Sequence, residues 1–244
     1  MGCDCRKGRD CKDHRERQEE VFKFLEVADL RAVGEHVDAI TETRISAVKY
    51  LDKAERAEQL GLGRDVATLY RQAAERDRDQ AIRQFRAVIE PIDERTGRDD
   101  WADLVDRINR EFEARDGAAQ IEEATGRFRL AVLEMDGVSG DGAEEIVGVW
   151  EQSVNRLRAD GLNGGIQLLK ERLESGVEAL LSPQMGREPA SPRTTNQLIC
   201  IGIFSAMATV MMAICGFTPF CWCCGGYAII IWLALMIAGC LLGP

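Results

Sequence analysis

Apolar positions divide the chain into a long stretch with helical periodicity and a shorter, wholly apolar stretch with none. From Arg15 to Ala57 apolar residues recur every three or four positions: Val21, Leu25 and Ala28, then Leu30, Val33, Val37 and Ile40, then Ile45, Val48 and Leu51. That spacing lines one face of a helix and predicts one long amphipathic element. GLGRD at Gly61 to Asp65 interrupts it. A second helix is expected on Val66, Leu69, Ala73, Ile82, Phe85 and Ile89, ending near Pro91, whose ring and missing N–H oppose continuation. The two helices are expected to pair antiparallel.

Asp99 or Asp100 offers an N-cap to the next segment, in which Trp101, Leu104, Val105, Ile108 and Phe112 share one face. Ile121, Ala124, Phe128, Ala131, Val132 and Met135 predict a fourth helix, stopped by the glycines of DGVSGDG. A fifth lies on Ile146, Trp150, Val154 and Leu157 and ends at DGLNGG; a sixth lies on Ile166, Leu169, Leu173, Val177 and Leu180. No alternating strand pattern competes. The expected fold class is all-α: a soluble amphipathic bundle of about six helices over 15–181, followed by a C-terminal two-helix transmembrane hairpin.

After Leu181 the periodicity stops. SPQMGREPASPRTT carries three prolines and reads as an extended linker over 182–195. From 196 to 244 the chain is apolar. Leu198 to Phe217 is an uncharged run of 20 residues, enough for a helix of about 30 Å, the thickness of a bilayer's hydrocarbon. Phe220 to Leu242 supplies a second run of 23, and the short GFTPF between them predicts an antiparallel membrane hairpin. Arg187 and Arg193 precede the first pass and no Lys or Arg follows it, so the positive-inside rule predicts a two-pass membrane protein with its soluble domain cytoplasmic.

Composition sharpens this division. The net charge of −10 comes from 31 basic and 41 acidic residues, all within the first 193 positions. The acidic excess is spread out and leaves no basic patch for nucleic acid. The first 20 residues are polar and charged where a secretory signal would be apolar.

Nine cysteines change the picture at both ends. In the tail, residues 1–14, CDCRKGRDCKDH sets Cys3, Cys5, Cys11 and His14 in a C-x-C-x5-C-x2-H array, a Cys3His set of the kind one zinc ion accepts tetrahedrally. N-terminal acylation and free thiols on a tail are the alternatives. In the hairpin, antiparallel passes bring Cys200 level with Cys240, and Cys215 level with Cys224 beside Cys221 and Cys223. Disulfides, S-acylation or plain packing in lipid all suit such positions. His36 stands alone on a charged helix face.

The sequence contains no phosphate-binding G-x-x-x-x-G-K-[ST], no G-x-S-x-G and no H-E-x-x-H, and its two histidines limit acid–base chemistry. No small-molecule substrate or catalytic activity is expected. The partners expected are a lipid bilayer and a protein partner or second copy. The chain is therefore read as a membrane-anchored helical interaction module, the alternative being a pore-forming effector or toxin. The latter architecture is similar to that of colicin pore domains, which hold an apolar hairpin in a helical shell, without any shared residue motif.

Overall fold

The structure is a computed structural model that describes residues 27–114, 116–135, 138–182 and 195–216. Among the described residues it is all-helical, with six helices and no strand: α1 (Val27–Gln59), α2 (Arg64–Thr96), α3 (Trp101–Ala114), α4 (Gly117–Leu133), α5 (Gly140–Leu181) and α6 (Thr195–Gly216).

α1 and α2 form an antiparallel hairpin about the Leu60–Gly63 turn. Their buried seam repeats every seven residues, with Val33, Ile40, Ala47 and Ala54 on α1 and Ala67, Ala74, Ala81 and Val88 on α2. A seven-residue repeat is the seam of a coiled coil. Tyr50 and Tyr70 stack across the pair, ring centroids 6.2 Å apart. Because alanines occupy the seam, Leu69, expected on the packed face, points outward and is 65% exposed. The expected end near Pro91 is also corrected: α2 runs through Pro91 to Thr96. Tertiary contacts hold this last turn against the proline's lost hydrogen bond. Ile92 packs on the core, Lys170 Nζ pairs with Asp93 at 2.7 Å, and the Thr96 hydroxyl donates to the Ile92 carbonyl at 3.0 Å.

α3 starts where expected, with Trp101, Leu104, Val105 and Ile108 buried along one face and Phe112 half-buried. The Asp100 carboxylate is engaged by the Arg98 guanidinium through both oxygens, at 3.1 and 3.0 Å. α4 buries Ile121, Ala124, Phe128 and Val132.

α5 is two helices joined by a sharp reversal. Gly161 has φ 60° and ψ −147°, a conformation open to glycine and costly for other residues. The halves 140–160 and 162–181 fold back on each other, so that Arg156 reaches Glu171 at 3.0 Å and Arg172 reaches Gln152 at 3.0 Å. A straight helix would hold residues 15 positions apart at a distance of about 22 Å. These halves are the expected fifth and sixth helices, separated at DGLNGG. α3 holds the reversal from one side: the Asn109 side-chain oxygen accepts the Leu162 N–H at 3.0 Å, and the Trp101 indole N–H donates to Asn163 Oδ1 at 2.8 Å.

The inner faces of all these helices meet in one contiguous core, and α6 is part of it. The described part of the apolar run, from Cys200 to Ile214, thus packs within the bundle. Its expected second pass, 220–242, lies outside the described residues.

Candidate functional site: the sheathed apolar helix

Within α6, Gln197–Ile214 has a mean hydropathy of 2.1 over 18 residues and is 78% buried. It is the one helix among the described residues that is long and apolar enough to cross a membrane. An amphipathic core helix shows water one face, but here ten consecutive residues, from Ile201 to Val210, are all buried. At 3.6 residues per turn, ten positions cover the whole circumference almost three times. α6 is therefore enclosed; among the described elements α5 is its main neighbour, and α1, α3 and α4 also pack on it.

The sheath is built from large side chains. Trp150 and Phe128 pack with ring centroids 4.8 Å apart, and Ile108, Ile146, Leu162, Leu169 and Leu173 are fully buried. The Trp150 indole N–H is satisfied by Thr125 Oγ1 at 3.2 Å.

Two glycines set the register between α6 and the second half of α5. A Cβ on Gly165 would meet Val210 Cγ2 at 3.2 Å, and a Cβ on Gly202 would meet Arg172 Cδ at 3.1 Å and Nε at 3.3 Å. Each helix thus presents a notch to the other's side chain. Arg172 lies across Gly202 with its Nε buried and no hydrogen-bond partner, while its Nη2 bonds Gln152. A guanidinium held against an apolar helix with one donor unmatched is costly. Ser205 adds a second such group on α6 itself, its buried hydroxyl without a partner, whereas Thr209 donates to the Ala206 carbonyl at 2.7 Å. On the far side the Thr41 hydroxyl of α1 donates to the Val37 carbonyl at 2.8 Å and lies 3.8 Å from the Cys200 sulfur.

Outside the sheath the molecule is charged. Lys170 has its pKa raised, first by the hydrogen bond to Asp93 and then by the charges of Asp93 and Glu174. Asp38 is exposed, yet partial burial of its carboxyl and then the charge of Glu42 raise its pKa.

The candidate zinc ligands Cys3, Cys5, Cys11 and His14 lie outside the described residues, as do Cys221, Cys223, Cys224 and Cys240. Among the described residues no group of three or more His, Cys, Asp or Glu side chains is placed to hold a metal. His36 is exposed on α1, as its charged surroundings predicted.

Comparison with protein-family models, with curated proteins and with solved structures finds no match.

Proposed function

We propose that the protein is a membrane-inserting, pore-forming effector whose water-soluble form carries its insertion helix inside a helical sheath. The observation that carries this reading is the all-round burial of Ile201 to Val210 in a helix of membrane length. A helix anchored in lipid has no need of an apolar jacket, whereas a helix apolar on every side suits both the centre of a bundle and a bilayer, and an inserting protein uses it in each place in turn.

The sheath supplies the remaining parts. Released from α6, the inner faces of α3, α4 and α5 carry Trp101, Phe128, Trp150 and Leu157 opposite charged outer faces, the amphipathic pattern that lies in a membrane interface. α6 and the second uncharged run, 220–242, would cross together as a hairpin. Two apolar helices cannot line a water path, so conduction would fall to the amphipathic helices that follow them in. Arg187 and Arg193 would hold the segment before α6 on the side from which it came, the cytoplasmic side by the positive-inside rule. No catalysis is assigned.

The deciding experiment uses the full chain purified without detergent. The expected result is a soluble, mostly helical protein that becomes carbonate-resistant on mixing with vesicles and releases an entrapped dye. A variant lacking 195–244 should release none. A full chain that leaves expressing cells' membranes only with detergent, and leaves vesicles tight at every protein density, would establish the anchored interaction module instead.

A further inference from the structure

We infer that the turn of the α1–α2 hairpin is the surface through which the soluble form first touches a lipid bilayer, an inference that rests on the membrane-inserting reading above. Leu60, Leu62 and Leu69 are 73%, 59% and 65% exposed and fall within ten residues of one another. The other large apolar residues exposed among the described ones are Leu130 and Leu133, neighbours three apart on α4, and Leu181 at the end of α5. Exposed apolar side chains that occur singly need no explanation, but Leu60 and Leu62 flank Gly61 in the turn itself, and Leu69 is exposed on α2 about a turn and a half beyond its start.

The position of this turn argues for a broad, soft target. Ala47, Ala54, Ala67 and Ala74 are buried in the hairpin seam yet lie outside the contiguous core. From Ala47 to Leu60 the hairpin therefore extends about 20 Å by its own packing. A narrow two-helix tip with three leucines offers far less than the roughly 800 Å² per partner of a stable protein interface. A bilayer demands no such shape match, since it rewards apolar side chains for the area they sink.

Charge favours the same end. Along the hairpin's outer part the bases Lys49, Lys53, Arg56, Arg64 and Arg71 slightly outnumber the acids Asp52, Glu55, Glu58 and Asp65, in a chain whose net charge is −10. With five bases against four acids, this end is not repelled by an anionic surface as an acidic face would be. Its long basic side chains can lie along the stem with their heads among lipid headgroups once the leucines are below them. Arg71 is already held on the stem by Glu58, at 2.7 Å.

The test is flotation of the full chain with vesicles of phosphatidylcholine and phosphatidylglycerol, read beside dye release. The triple variant Leu60→Ser, Leu62→Ser, Leu69→Ser changes only exposed positions and should keep the wild-type helicity and melting temperature. Its vesicle binding should fall by about a hundredfold. Restoring an interfacial anchor, as Leu60→Ser, Leu62→Trp, Leu69→Ser, should recover most of the binding. A triple variant that binds and releases dye like the wild type overturns the inference and leaves the pore-forming function standing. Wild-type binding without dye release, lost in the triple variant, supports the contact surface and overturns pore formation. Loss of a dimer in solution with vesicle binding unchanged would reassign the leucines to contact with a second copy and overturn the inference.

Discussion

The outer part of the α1–α2 hairpin and the sheath around α6 are both helix packed on helix, but they bury side chains of very different size. The hairpin's outer seam is Ala47, Ala54, Ala67 and Ala74, while the sheath buries Trp150, Phe128, Leu162, Leu169 and Leu173 against Phe204 and its neighbours. A fully buried leucine-sized side chain contributes about 1.5–3 kcal/mol, and an alanine a fraction of that. Equal helical content thus hides unequal local stability, and the weaker end is the one that carries the exposed leucines. On the proposed inserting function, the strongest packing then surrounds the segment that must not be released early, and the most yielding part lies at the point of first contact.

The largest test of that contrast is a pair of substitutions. Trp150→Ala removes a fully buried indole that packs on Phe128 and should destabilise the fold by about 3–5 kcal/mol. Ala54→Gly, in the hairpin seam, should cost only about 1 kcal/mol, the price of glycine's freedom in the unfolded chain. Chemical denaturation followed by circular dichroism measures both. Native-state hydrogen exchange should separately show amides around Ala54 and Ala67 exchanging by local opening, while those around Leu169 require global unfolding. Equal costs at the two sites would erase the distinction.

A smaller effect is expected at the reversal in α5, which holds the two halves of the sheath together. Asn109→Ala leaves the Leu162 N–H without its acceptor beside Gly161 and should cost about 1–3 kcal/mol. The outer hairpin, remote from that contact, should keep its exchange rates. A uniform rise in exchange across both regions would mean that sheath and hairpin open as one unit.

Much of this architecture was legible in the amphipathic spacing. Trp101, Leu104, Val105 and Ile108 share a buried face as their positions imply, and DGLNGG does separate two helices. One boundary was missed because local preference yields to tertiary contact: Pro91 sits inside α2, held there by Ile92, Lys170 and Thr96. The hairpin seam was misread toward Leu69 because large apolar residues draw attention, although the seven-residue repeat of Val33, Ile40, Ala47 and Ala54 was present in the sequence. For α6, hydropathy and length were readable, but whether lipid or protein surrounds such a helix is a property of its neighbours. Gly202, without a Cβ, permits close approach. That its neighbour would be the guanidinium stem of Arg172 depends on the direction of the fold-back at Gly161, which DGLNGG marks as a break but does not orient.

The smallest effect expected lies at Asp38, on the part of α1 whose Val37 and Ile40 join the core before the alanine seam begins. Partial burial, then Glu42, raises the Asp38 pKa, so the folded state binds its proton more tightly than the unfolded chain does. Stability contributed through this group is therefore greatest when it is protonated and falls as pH rises through its folded pKa. Asp38→Asn removes that cost and should raise the melting temperature slightly at neutral pH. The gain should shrink as pH falls through the raised pKa and vanish below the ordinary carboxylate range, where both side chains are neutral. Because Asp38 is exposed, solvent screening keeps the effect small. Melting curves of both proteins across acidic to neutral pH provide the check. A gain that grows on acidification would reverse the sign and mean that the ionised carboxylate stabilises this part of α1. In that case the base of the hairpin, and not its alanine seam, would be the first part of the molecule to loosen in acid.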